Sequence, residues 1–254
     1  MTPPLASLLA SPLSGAVVVT GTGTEVGKTV VTAALAAVQR AAGRRVALVK
    51  PTQTGLTPGL PGDVHEAGRL AGVEDLLEGV RLPDPLAPDA AARLAGLPLP
   101  PLSAHAQAVQ AYAVTHDLVL VEGAGGLLVR LDEDGGTLAD LARTLAAPAL
   151  LVAAAGLGAL NQAALTLEAL AARGVPLLGV VVGRWPERPG LAERQNLADL
   201  VAYARAPLLG VLPDGAGRLD PATFARRAPQ WLAVSLGGTA RGGPAEGWGI
   251  PSLG

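Results

Sequence analysis

The chain has 254 residues, half of them hydrophobic but only 2% aromatic, with a formal net charge of −2. That length admits one large domain or two small ones, and the core must be built from Ala, Val and Leu. The absence of cysteine excludes disulfides, thiolate catalysis and cysteine-based zinc or iron–sulfur centres, and the lack of any basic block argues against nucleic acid as a partner.

In chain order, residues 1–15 are apolar and Pro-rich without a positive n-region, and read as a loose leader rather than a targeting signal. Val17-Val18-Val19-Thr20 reads as a buried strand. Gly21 to Gly27 is a Gly- and Thr-rich turn, and Gly27–Ala42 a helix stopped by Gly43. Arg45–Val49 is a second strand. Lys50–Gly55, KPTQTG, reads as a loop, and 56–62 as a Pro/Gly connection. Asp63–Leu70 reads as a helix with Asp63 as its N-cap. The Pro-rich stretch 72–102 predicts short helices and irregular links. Ser103–Thr115 is a helix and Leu118–Val121 a third buried strand. There follow a helix at Thr137–Leu145, a strand at Ala149–Ala153, a helix at Leu160–Ala172 and a strand at Leu177–Val182. A helix at Leu191–Ala204, a strand at Pro207–Leu212 and a short helix at Phe224–Val234 complete the pattern. Residues 235–254, rich in Gly and Pro, are expected to be a poorly ordered tail.

Residues Thr144–Leu167 carry no charge, but Pro148, Gly156, Gly158, Asn161 and Gln162 divide them into strand, loop and helix rather than a membrane span. Strands alternating with helices predict a single α/β domain over 16–234. Its mostly parallel sheet carries helices on both faces, in a three-layer fold of the P-loop NTPase kind.

The chemistry concentrates at VVVTGTGTEVGKTVVT, Val17–Thr32. Strand, glycine loop, Lys-Thr and helix form the arrangement that cradles a nucleotide's phosphates. Amides of the loop and of the helix's first turn have no helical partners, and the helix dipole adds positive charge there. Lys28 would reach the terminal phosphates and the Thr29 hydroxyl a magnesium ion. The spacing departs from the usual pattern, because position 22 is Thr. The loop is one residue longer counted from Gly21, or one shorter counted from Gly23. A glycine turn beside an exposed lysine is the plainer alternative.

Of 19 basic residues only two, Lys28 and Lys50, are lysines. Both fall just after candidate parallel strands, where open α/β sheets place ligands. A lysine is a point charge that can follow a phosphate or carboxylate, whereas arginine is a planar fork. Glu122-Gly123-Ala124-Gly125-Gly126 follows the third strand directly. An acidic residue there is placed to hold magnesium, although a glycine turn with a solvated Glu remains open. His65, His105 and His116 show no ligand spacing and read as solvated or core residues.

GTGTEVGKT, KPTQTG, Gly62-Asp63, VEGAGG and LGALNQAALT (Leu157–Thr166) together resemble dethiobiotin synthetase, from about Val17 to Asp214. The resemblance implies a cytoplasmic homodimeric ligase of biotin biosynthesis. Such an enzyme joins carbon dioxide to 7,8-diaminononanoate and closes a cyclic urea, with ATP as cosubstrate and magnesium. It implies catalytic roles for Lys28, Lys50 and Thr24, and a nucleotide and magnesium site formed by Glu25, Val26, Gly27, Lys28, Thr29, Val30 and Asp63. Glu122, Gly123, Ala124, Gly125, Gly183, Arg184 and Pro213 extend the nucleotide site. Thr29, Asp63 and Glu122 would hold the metal. Thr54, Glu122 and Gly125 would touch substrate, and Asn161 of a second subunit would take its tail carboxylate. On the residues alone, Thr54 could be a turn residue and Asp63 and Asn161 helix caps. Where many relatives place an Asn that reads the adenine edge, this chain has Gly183, which implies weaker discrimination among nucleoside triphosphates. A related P-loop amidoligase with another substrate, or a partition-type nucleotide switch, are the competing classes.

Overall fold

A computed structural model describes residues 12–241. Among these, seven strands form one sheet: β1 (Gly15–Gly21), β2 (Val46–Thr54), β3 (Leu76–Leu82), β4 (Leu118–Glu122), β5 (Ala149–Ala153), β6 (Leu177–Trp185) and β7 (Leu208–Pro213). Their order is β3-β2-β4-β1-β5-β6-β7, and every neighbouring pair is parallel. The helices are α1 (Lys28–Ala41), α2 (Asp63–Ala71), α3 (Pro88–Ala95), α4 (Leu102–Thr115), α5 (Leu138–Thr144), α6 (Ala159–Ala172), α7 (Leu191–Ala204) and α8 (Pro221–Trp231).

Side-chain alternation along the central strands sorts the apolar residues into two cores. Val17 and Val19 of β1, Val46 and Leu48 of β2, and Leu118 and Leu120 of β4 face one core, with α1, α2, α7 and α8. Val18, Ala47, Val49, Val119 and Val121 face the other, with α4 and α5. Helix α6 contributes Ala163 to the first core and Leu170 to the second. Both layers are made of small aliphatic side chains. The three fully buried aromatic side chains, Phe224, Trp231 and Trp185, lie in the first core, and the half-buried Tyr112 packs against the second.

Several boundaries differ from the sequence expectation. The stretch KPTQT is the second half of β2, not a loop. Pro51 argues for a loop because it cannot donate to a ladder. Here the pairing resumes past it, with Thr52, Gln53 and Thr54 opposite Val80, Arg81 and Leu82. Within the Pro-rich stretch 72–102, LLEGVRL forms the edge strand β3. Its mostly half-buried residues give no clear apolar alternation. Its Gly79 is required, since a Cβ there would stand 2.4 Å from the Pro51 carbonyl oxygen. Strand β6 runs on to Trp185, which is buried.

Residues 235–241, expected to be loose, are tied to the body by backbone hydrogen bonds of Thr239 and Ala240 to Pro229 and Leu232, although Gly237, Thr239 and Arg241 are exposed. Leu236 is fully buried and its carbonyl accepts from Gln39 Nε2 at 2.7 Å. The remainder of that expected tail, 242–254, and most of the expected leader, 1–11, lie outside the described residues.

Candidate active site

Parity on neighbouring strands builds the centre of the site. Leu48 of β2 pairs with Leu120 of β4, and both face the α1–α2 core. Two residues further on, Lys50 and Glu122 share that facing at the carboxyl edge of the sheet. Lys50 Nζ donates to Glu122 Oε1 at 2.7 Å, to the Gly123 carbonyl at 3.1 Å and to Asp63 Oδ2 at 2.6 Å. An ammonium has three donors, so all three are engaged. Burial opposes the Lys50 charge, but Glu122 and Asp63 outweigh it and raise the pKa above the ordinary lysine value.

The phosphate loop lies beside this cluster. Strand β1 leads into Gly21–Gly27, in which Glu25 and Gly27 take positive φ of 57° and 96°. Gly27 is the N-cap of α1 and offers no side chain to its first-turn amides, which leaves them to an incoming anion. Lys28 Nζ donates to the Gly23 carbonyl at 2.8 Å. Burial, reinforced by the nearby Lys50 charge, lowers the Lys28 pKa to about 8. Thr29 Oγ1 donates to Glu122 Oε1 at 2.9 Å, so Glu122 ties the two lysine regions together.

A divalent cation fits this donor set. Glu122 Oε2 is buried without a hydrogen-bond partner, which a buried carboxylate rarely tolerates. Two carboxylates and a hydroxyl are oxygen ligands of the kind magnesium takes. Among the described residues no group of three or more His, Cys, Asp and Glu side chains converges. The remaining ligands would therefore be water and phosphate oxygens, the usual arrangement for this ion beside a nucleotide. Asp63 occupies the first helical position of α2 rather than its N-cap, which is Gly62.

A cavity of about 180 Å³ opens beside the phosphate loop, lined by Gly27, Val30, Gly183, Arg184, Pro213 and Arg218 among others. The structure thus brings together Val30, Gly183, Arg184 and Pro213 from distant parts of the chain. Gly183 itself has no space for a side chain, because a Cβ there would lie 2.2 Å from the Val26 carbonyl oxygen. It packs against the loop, and the group presented at this strand end is Arg184. The Arg184 guanidinium is bound to Asp214 Oδ1 at 3.0 Å and to the Glu25 carbonyl at 3.2 Å. Asp214 and Arg218 had no local sequence signal beyond a Pro-Asp-Gly turn after the last strand.

Other expected residues lie outside this hydrogen-bonded centre. Thr24 is exposed with no side-chain hydrogen bond, although its methyl comes within 3.8 Å of a Cβ placed on Gly125. Thr54 ends β2, and its carbonyl accepts from Gln53 Nε2. Ala124 and Gly125 continue the turn after Glu122. Asn161 is exposed in the first turn of α6, whose N-cap is Gly158, so it does not cap that helix. A larger cavity of about 700 Å³ lies between the C-terminal ends of α6 and α7, lined by Leu167, Tyr203 and Arg205 among others, and none of the expected site residues lines it.

A parallel sheet whose central strand passes through a glycine loop and Lys-Thr into a helix defines a P-loop nucleotide-binding α/β protein. A family model with the description "AAA domain" matches residues 15–217. The Pyrococcus furiosus cell division ATPase MinD shares the fold, with a TM-score of 0.51 at 19% identity over 85% of this chain and 97% of that one. Much greater likeness is found with enzymes of known name. The ATP-dependent dethiobiotin synthetase BioD of Streptomyces avermitilis is 60% identical over 87% of this chain and 93% of its own length. That of Streptomyces coelicolor is 58% identical over 87% and 93%. The chain belongs to the dethiobiotin synthetase family.

Proposed function

We propose that the protein carboxylates 7,8-diaminononanoate with carbon dioxide and closes it to dethiobiotin, converting ATP to ADP and phosphate. The observation that carries this reading is that Lys50 is held by Glu122 and Asp63, that Glu122 is also bonded to Thr29, and that Lys28, the only other lysine, lies near enough to feel the charges of Lys50, Glu122 and Asp63. An amine and carbon dioxide form a carbamate and release a proton. A carbamate oxygen attacks the γ-phosphorus, ADP leaves, and a carbamic–phosphoric anhydride results. The second amine attacks the carbonyl carbon, and phosphate departs as the ring closes. No covalent enzyme nucleophile is needed, so positioning and charge neutralisation dominate.

Lys28 holds the terminal phosphates and steadies the carbamate beside them. The free first-turn amides of α1 and the loop from Glu25 to Val30 hold the rest of the polyphosphate. Lys50 meets the carbamate by exchanging one of its three present partners. Thr29, Asp63 and Glu122 would hold magnesium, which supplies positive charge at the phosphate oxygens. Thr24, Thr54, Glu122 and Gly125 line the substrate side, and Gly123, Ala124, Gly183, Arg184 and Pro213 extend the nucleotide side.

Two further parts of this reading concern assembly and location. A homodimer is supported by Leu157 and Leu165, which are 95% and 58% exposed on either side of Asn161. In it, Asn161 and the first-turn amides of α6 in one copy would take the tail carboxylate bound to the other. A cytoplasmic location accords with a biosynthetic role, and no helix among the described residues is long and apolar enough to cross a membrane.

The direct test mixes purified protein with 7,8-diaminononanoate, bicarbonate, magnesium and a nucleoside triphosphate, and measures dethiobiotin. Product with ATP is expected, and none with ATP, GTP or CTP would refute the reading. Because Gly183 presents no amide and Arg184 offers only donors, kcat/KM should favour ATP over GTP and CTP by less than about 10³-fold. A larger ratio would show that the base edge is fully read by other groups.

A further inference from the structure

We infer that Gln53 is a positioning residue for the reaction, seating the first turn of α2 so that the Asp63 carboxylate lies on Lys50 instead of capping its own helix. The inference rests on the activity proposed above, which makes the Lys50–Asp63–Glu122 cluster the reacting end of the site.

The argument starts from what a helix needs. The first amides of an α-helix have no partners within it, and a Ser, Thr, Asp or Asn at the N-cap normally supplies one. Helix α2 has Gly62 there. A Cβ on Gly62 would stand 2.1 Å from Glu78 Oε2, so a residue with a capping side chain there would have to displace the Glu78 carboxylate from beside Arg81. Gln53, ten residues earlier on β2, takes over: its Oε1 accepts the Asp63 N–H at 2.8 Å. Its Nε2 donates to the Thr54 carbonyl at 3.1 Å, which fixes the orientation of the amide, and the side chain is buried. Strand β2 therefore grips Asp63 at both ends. Gln53 holds its backbone, and Lys50 holds its carboxylate at 2.6 Å.

The grip is needed because burial does not fix Asp63, whose side chain is 38% exposed. The chain leading to it is a Pro/Gly connection. This connection is fastened separately by Arg81, which pairs with Gln53 across the β2–β3 ladder. Arg81 forks onto Glu78 and donates to the carbonyls of Thr57 and Leu60. Arg81 thus ties the connecting loop, while Gln53 ties the helix start. Only Gln53 bears directly on the residue that touches Lys50.

The test uses full-length protein carrying Gln53→Met, which removes the acceptor at similar size, and Gln53→Glu, which retains an acceptor oxygen. Lys28 and Lys50 are the only lysines, so side-chain ¹⁵N labelling of lysine gives two signals to follow by NMR at one fixed pH. In Gln53→Met the Lys50 signal should move toward its position in Asp63→Asn, with the Lys28 signal unmoved. kcat should fall roughly tenfold, the scale of a small misplacement at a reacting group, while KM for ATP stays within about twofold. Gln53→Glu should bring the Lys50 signal back and restore kcat to within about threefold of wild type. A Gln53→Met protein that melts earlier but keeps the wild-type Lys50 signal and kcat would reduce Gln53 to a structural cap and overturn the inference. Should Gln53→Met not fold, the same two readouts are taken from Gln53→Ala, where a wild-type Lys50 signal and kcat overturn the inference equally. A wild-type protein that makes no dethiobiotin refutes the proposed activity, yet the Lys50 signal still decides whether Gln53 places Asp63.

Discussion

Lys28 and Lys50 stand in one site, yet their surroundings treat their charge in opposite ways. Lys50 is wrapped by two carboxylates and a carbonyl, and its positive charge is favoured despite burial. Lys28 has one carbonyl partner and no carboxylate contact, and burial together with Lys50 lowers its pKa to about 8. One lysine is already neutralised by the fold. The other is held in a place that lacks an anion, beside helix amides that also lack partners. A polyphosphate would complete the second environment, whereas it would compete with ligands in the first.

The sharpest way to break this comparison is to remove each ammonium. Lys28→Ala should lower kcat/KM by at least about 10³-fold through lost phosphate binding and transition-state stabilisation. It should also weaken nucleotide binding while leaving the melting temperature unchanged or higher, because the fold opposes that charge. Lys50→Ala should abolish product as well, but with nucleotide binding largely kept. Its cost falls on stability, about 3–5 kcal/mol, since Glu122 is left charged and buried without its partner. Calorimetric titration of a non-hydrolysable nucleotide and chemical denaturation separate the two outcomes. Equal loss of nucleotide binding in both variants would erase the distinction.

How much of this was readable beforehand follows from the range of each signal. The phosphate loop was legible because its strand, glycines, lysine and helix are contiguous. Glu122 is legible at a strand end, since four apolar residues precede it; the same pattern puts Lys50 at a strand end in the sequence, whereas in the fold β2 runs on through it to Thr54. Their meeting depends on β2 lying beside β4 in a register that pairs Leu48 with Leu120, and no local pattern states that. The sequence points to Asp63 as the cap because the actual cap, Gly62, has no side chain. The group that replaces it, Gln53, belongs to another element, and it lies in a stretch whose proline suggested a loop. Edge strand β3 escaped because an edge needs no continuous apolar run. That Gly183 lacks a side chain is plain in the sequence, while the close approach of Val26 that forbids one there is a tertiary fact.

That approach offers a smaller perturbation aimed at Lys28 alone. The loop before α1 packs on the end of β6, so that Cβ atoms added to Gly27 and Gly183 would each run into the other strand's backbone, at 2.5 and 2.2 Å. Gly183→Ala should push the loop away from β6 at a stability cost of about 1–3 kcal/mol, typical of overpacking. Nucleotide affinity should fall, whereas the lysine NMR signal of Lys50 should stay in place, because β2 and β4 are untouched. A displaced Lys50 signal with normal nucleotide affinity would mean that the two lysine regions move as one body.

The smallest expected effect comes from a third buried base. His105 on α4 is 6% exposed and its Nε2 has no partner. Burial lowers its pKa, with Asp132 opposing in part. The unfolded chain takes up this proton near pH 6.5, while the folded protein resists until lower pH. The stability His105 allows is therefore complete above about pH 6.5 and is lost as pH falls through its depressed folded value. Melting curves between neutral and mildly acidic pH should fall more steeply for wild type than for His105→Leu. Parallel curves would assign the acid sensitivity elsewhere. Burial depresses the affinity of both His105 and Lys28 for a proton, but only Lys28 faces amides that an anion can join. A lowered pKa thus marks burial in both, and a ligand site only where neighbouring donors are also left open.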